Sequence, residues 1–214
     1  MSMAALARSN SQDTAAARAL VARSGNQAAK PAAGQHPAAT VLAREDVLLL
    51  PLAQVLVLRD TLRNGPETLA DRLTHYSFAP ETLREALASL PTLAELEQAR
   101  DEALRAVDAP ADPRVNRVLV SLLIDAFPKS ITENALGYIE TLIHDVTALG
   151  LSPARVAWSL RSVRQSSKFL PSVSEVVEAC SRGIGRSVVS TTYDKALHVR
   201  AALEATLAAQ EGGA

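Results

Sequence analysis

The side chains able to do chemistry are few in this chain, and their spacing does not suit it. His36, His75, His144 and His198 lie far apart, and no Cys or His pair stands at the short spacing that holds a metal ion. His144, beside Asp145, reads as part of a solvated helix face. Cys180 is the only cysteine; it follows an apolar run and reads as a small core residue rather than a nucleophile. No serine sits in a G-x-S-x-G elbow. Gly183-Ile184-Gly185 lacks both the third glycine and the preceding strand of a phosphate-binding loop. No catalytic residue, metal site or cofactor is expected, and the chain reads as a non-enzyme.

One segment does combine charge with aromatic surface. Between Asp145 and Glu175 there is no acid, while Arg155, Arg161, Arg164 and Lys168 are basic. At about 100° per residue, Val156, Leu160, Val163 and Ser167 share one helix face. Trp158, Arg161, Arg164, Gln165 and Lys168 fall on the other, with Phe169 just beyond. A lone Trp among cations is a composition favoured at binding hot spots, and Arg161 lies one turn from Trp158, within reach of a cation–π contact. Two readings stand. In one, Trp158, Arg161, Arg164, Lys168 and Phe169 form a partner-binding surface for an acidic protein patch or for phosphates. In the other, Trp158 packs beneath the N-terminal half and the arginines cover it.

The elements that must position these residues are helical. Apolar residues make up 48% of the chain but aromatics only 3%, and the Ala and Leu that carry the apolar content are strong helix formers. The expected fold is all-α, a bundle of about seven or eight helices. Residues 1–40 are Ala-, Ser- and Arg-rich with Asp13 as their only acid; such a stretch buries too little apolar surface to offset its ordering entropy. It reads as a disordered or loosely helical arm, although its acid-poor character also fits a transit peptide. Residues 41–109 form an acidic helical half: the stretch 41–110 holds 7 Arg and 12 Asp or Glu. Within it, Leu48 to Leu58 reads as a buried helix or helix pair that Pro51 starts or kinks. It is too short for a membrane span, which takes about 20 residues. An acidic half facing a basic segment implies either a partner or two helical layers attracting each other.

Start and stop signals divide the rest. Gly65-Pro66 and Ala79-Pro80 each place a proline in a first helical turn. Thr92-x-x-Glu95, Ser130-x-x-Glu133 and Ser172-x-x-Glu175 are capping boxes. Ala109-Pro110-Ala111 marks a boundary, Asp112-Pro113 and Ser152-Pro153 start helices, and Gly150 ends one. Residues 110–185 form a second helical domain, and 186–214 a C-terminal Ala-rich helix and tail. Sequence-specific DNA reading fits poorly: the connection from Ser166 to Pro171 exceeds the 3–4 residues of a helix-turn-helix, and Glu175 and Glu178 open the following helix.

Residues from about Val118 to Cys180 resemble the helical domain of the phage replicative-helicase loader and inhibitor family. A hydrophobic helix ends in Ala126-Phe127-Pro128, and the next carries Tyr138 and Leu142. Leu151-Ser152-Pro153 then opens a helix ending in Ser167-Lys168-Phe169, followed at once by the turn Leu170-Pro171-Ser172-Val173-Ser174-Glu175-Val176. That closing aromatic-x-Pro-Ser-x-x-Glu segment is also similar to lambdoid replication proteins that hand helicase to an origin. The resemblance covers roughly a third of the chain; the acidic half and the arm lie outside it. It implies a non-catalytic adaptor in DNA replication, whose partner is a hexameric replicative helicase.

The expected protein is thus a cytoplasmic adaptor without a membrane anchor, since one unpaired cysteine fits a reducing compartment and no secretory-length apolar stretch leads the chain. A first alternative is a self-associating structural or regulatory protein, using Leu48 to Leu58 and the last helix as its interface. A second is nucleic-acid binding through the basic segment 146–174, with an affinity that falls with salt.

Overall fold

Prolines and side-chain caps decide where the helices begin. The structure is a computed structural model that describes residue 18, residues 37–128 and residues 135–212. The rest of the expected arm and the Ser130–Glu133 box lie outside the described residues. Among the described residues the fold is all-α. Helices α1 (Pro37–Arg63), α2 (Pro66–Arg72), α3 (Pro80–Ala88) and α4 (Leu93–Asp108) precede α5 (Pro113–Asp125), α6 (Ala135–Ala148), α7 (Pro153–Ser166), α8 (Val173–Arg182) and α9 (Arg186–Gly212).

Each start has a local cause. Pro66, Pro80, Pro113 and Pro153 occupy first turns, where the missing N–H costs no helical hydrogen bond. Asp112 accepts from the Arg114 and Val115 amides, and Ser152 from the Arg155 amide. Thr92 with Glu95, and Ser172 with Glu175, close as reciprocal capping boxes. Gly150, after α6, has φ +64°, the left-handed conformation that suits a residue without Cβ.

Two helices form the centre. α1 packs against α2, α4, α7 and α9, and buries Leu49, Leu52, Val55, Leu56, Leu58 and Leu62. It runs unbroken through Pro51; the amide that Pro51 lacks would have met the Val47 carbonyl, in a stretch where Val47 is exposed to water. The interface role weighed for Leu48 to Leu58 is corrected here: most of its large side chains face the protein's own core and are closed to a second copy. α7 packs against α1, α4, α5 and α8, and Ala154, Val156, Ala157, Trp158, Ser159, Leu160 and Val163 are all buried.

α9 turns back over the acidic half, packing on α1, α2, α3 and α4. Arg200 of α9 donates to the carbonyls of Leu87, Leu90 and Pro91 at the end of α3 and in its exit, where a helix runs short of backbone donors. Arg84 meets Glu211 at 2.7 Å, Arg100 meets Asp194 at 3.0 Å, and Gln210 donates to the Phe78 carbonyl at 3.1 Å. Among the described residues no helix is long and apolar enough to cross a membrane.

Candidate functional site

The two cations at the centre of the expected binding surface are turned inward. Arg161 donates to the Asp46 carboxylate at 2.8 Å, and Arg164 donates to Glu45, whose side chain is almost fully buried. Both acids lie on α1, so the basic face of α7 is neutralised within the molecule. Of the two readings of the opposed charges, attraction between helical layers is the one the geometry contains.

Trp158 is 9% exposed and belongs to the core. The surface reading of Trp158, Arg161 and Arg164 is therefore corrected. Its premise was a helix with one buried face, whereas α7 is enclosed by four others. The sequence held a signal for this in the small residues Ala154, Ala157 and Ser159, which let neighbouring helices approach closely. At Gly183 the approach is tightest: a Cβ there would lie 2.7 Å from the Ser159 hydroxyl oxygen. That contact accounts for a glycine in Gly183-Ile184-Gly185 by packing alone.

Lys168 and Phe169 meet a different fate. Both lie in the connection from α7 to α8, and Phe169 is 77% exposed. The loop is fixed at its ends. Ser167 donates its backbone N–H to the Val163 carbonyl at 3.0 Å, and Ser172 begins the capping box of α8, its amide donating to Glu175 at 2.7 Å. Between them the Tyr138 hydroxyl donates to the Pro171 carbonyl at 2.6 Å, tying the loop to the start of α6. This contact was not read from the sequence, although Tyr138 and Pro171 each belong to the quoted resemblance. Two residues before Tyr138 on α6, Leu136 is also 77% exposed. The loop thus carries the exposed ring of Phe169 and the ammonium of Lys168 on a braced support.

Electrostatics at this end favour fixed protonation states. Glu175 is held below the ordinary carboxylate range by the hydrogen bonds it accepts from the Ser172 amide and hydroxyl. Burial, with the nearby Glu175 charge, raises the Tyr138 phenol, which keeps it a donor to Pro171. Cys180 is buried, and burial pushes its thiol up to about 11 against smaller opposing effects of the Ser159 hydroxyl and Arg155. A thiol so disposed is a poor nucleophile. His144 is exposed and hydrogen-bonds its neighbour Asp145 at 3.0 Å. Among the described residues no three His, Cys, Asp or Glu side chains converge where they would hold a metal ion.

The braced apolar loop is an arrangement that can dock, since an aromatic side chain held out on a rigid support loses little entropy on burial. Compared with known proteins, the chain matches no family model, no curated protein and no solved structure.

Proposed function

We propose that this chain is a non-catalytic adaptor that binds a protein partner through Phe169 and Lys168. The observation that carries the reading is Phe169, an aromatic side chain held 77% exposed between two anchored ends. Aromatic anchors with a flanking cation are typical of interface hot spots. The partner class comes from the resemblance of residues 118–180 to phage helicase loaders, and is a hexameric replicative helicase. Under this reading the protein acts in DNA replication, loading or modulating that helicase.

Nucleic-acid binding through residues 146–174 draws less support, because Arg161 and Arg164 are committed to Asp46 and Glu45. The deciding experiment mixes the full chain with a purified replicative helicase hexamer and reads complex formation by light scattering. Wild type is expected to co-elute with the hexamer. Phe169→Ala with Lys168→Ala is expected to lose the complex while its circular dichroism stays unchanged. Equal binding by both proteins would remove the loop from the interface, and no binding by either would remove the helicase.

A further inference from the structure

Between α1 and α4, beside α9, lies an open cleft of about 420 Å³, within the roughly 300–1,000 Å³ of sites that enclose small molecules. Val57 and Leu58 of α1, with Leu96 and Ala99 of α4, give it apolar walls. The charge on those walls has one sign: Glu95 and Glu102 line the cleft, and no Lys or Arg does. Both carboxylates are held in place. Glu95 accepts from the Thr92 amide and hydroxyl at 2.8 Å, which keeps it ionised, and Glu102 accepts from the Gln98 side chain at 2.9 Å. Arg200, whose charge also acts on Glu95, is taken up by Glu204 at 2.8 Å and by the carbonyls at the end of α3.

Two further groups on the same walls lack partners. Tyr193 of α9 is 1% exposed, and its hydroxyl has no hydrogen-bond partner among the described residues. Burial, and after it the Glu102 charge, pushes that phenol up to about 12, so it stays a neutral hydroxyl near a carboxylate. Gln54 of α1 has a buried carboxamide oxygen, again without a partner among the described residues. Polar atoms left unpaired at a buried wall cost stability unless something from outside completes them. Carboxylate, carboxamide oxygen and phenol oxygen all accept hydrogen bonds. The complement is a positively charged donor carried on an apolar body.

We propose that this cleft is a binding site for a small organic cation, an ammonium group on an apolar body. The ammonium hydrogens meet Glu102, the Tyr193 hydroxyl and the Gln54 oxygen, and the body lies along Val57, Leu58, Leu96 and Ala99. An ammonium–carboxylate contact withdrawn from water is stronger than the same contact in bulk solvent. A neutral ligand of the same shape leaves the carboxylates without a counter-charge, and both glutamates repel an anion.

The test titrates the full chain with phenylbutylamine, phenylbutanol and phenylbutyrate, which share one apolar body and differ in charge, read by calorimetry and by protein NMR. The amine is expected to bind saturably, one to one, shifting amides of α1, α4 and α9 around the cleft. The alcohol and the acid are expected to bind at least about tenfold more weakly. Glu102→Gln and Tyr193→Phe are each expected to weaken the amine with the melting temperature unchanged. Ala99→Trp fills the cleft and is expected to abolish binding. Should it lower the melting temperature, Glu102→Lys, which sets a tethered ammonium in the site, takes its place. Equal affinity for amine and alcohol would overturn the proposal. So would the absence of saturable amine binding. Amine binding that survives Glu102→Gln together with either blocking substitution would place the amine elsewhere and overturn it as well.

Discussion

Arg164 and Glu45 stand 119 positions apart and meet as an ion pair from which water is nearly excluded, with 15% and 4% of their side chains exposed. The pair joins the two central helices, α7 and α1. Together with Arg161 and Asp46 it turns the opposed charges of the two halves into a seam. Removing one member of a buried pair strands the other's charge, whereas removing both leaves an apolar contact. Glu45→Ala is therefore expected to cost about 3 kcal/mol of stability. Glu45→Leu with Arg164→Leu is expected to recover most of that loss. Denaturant titration of the three proteins checks it; a double variant no better than the single one would sink the account.

Trp158 and Phe169 should separate cleanly. Trp158→Ala empties part of the core and is expected to cost about 3–5 kcal/mol. Phe169→Ala removes a side chain in water and is expected to stay within about 0.5 kcal/mol. The same difference is visible without mutation, because the only tryptophan should emit at short wavelength and resist quenching by acrylamide.

The capping boxes set an acid limb. Glu95 and Glu175 have their carboxyls lowered below the ordinary 4.5 by the hydrogen bonds they accept. A lowered folded value means that the unfolded chain binds protons first as pH falls. The stabilisation is thus complete above about 4.5 and fades as pH drops through the folded values. Glu95→Gln with Glu175→Gln keeps the acceptors and removes the titration. Its melting temperature should fall less steeply than wild type between about pH 5 and pH 3. Parallel curves would show that other carboxylates govern acid unfolding.

Tyr138 braces the Phe169 loop from a distance. Tyr138→Phe leaves the Pro171 carbonyl without its donor and is expected to cost about 1 kcal/mol. Amide exchange should quicken in residues 167–172 and stay unchanged in α9. Uniform acceleration would mean that the hydroxyl supports the whole bundle rather than the loop.

Cys180 offers a probe of opening. With its thiol pushed up to about 11, a maleimide at pH 8 should label the native protein far more slowly than the denatured one. Rapid labelling in native buffer would show that α8 detaches readily from α7.

Much of the fold was legible because its signals are local. Thr92 with Glu95, Ser172 with Glu175, Asp112, Ser152 and Gly150 act within one helical turn, so their residue types alone place the boundaries. What the sequence could not show is how many neighbours a helix has. Val156 and Trp158 lie on opposite faces of α7, and one apolar stripe left open whether the other face met solvent or the N-terminal half. Enclosure by four helices buried both. Leu136 and Val118 fail in the opposite sense: each continues an apolar stripe and yet stands exposed, because α6 and α5 are covered over only part of their surface. Lys168 and Phe169 kept their expected exposure because a loop between two capped ends has no turn in which to hide them.

The return of α9 across α1, α2, α3 and α4 governs how this protein is made. During synthesis α1 leaves the ribosome long before the helix that covers one of its sides exists. A nascent chain that ends near residue 185 still presents that apolar side to chaperones and to other nascent chains. The acidic half is translated before α5 to α9 but is among the last parts to be sealed, and productive folding waits on the arrival of Val199 and Leu203.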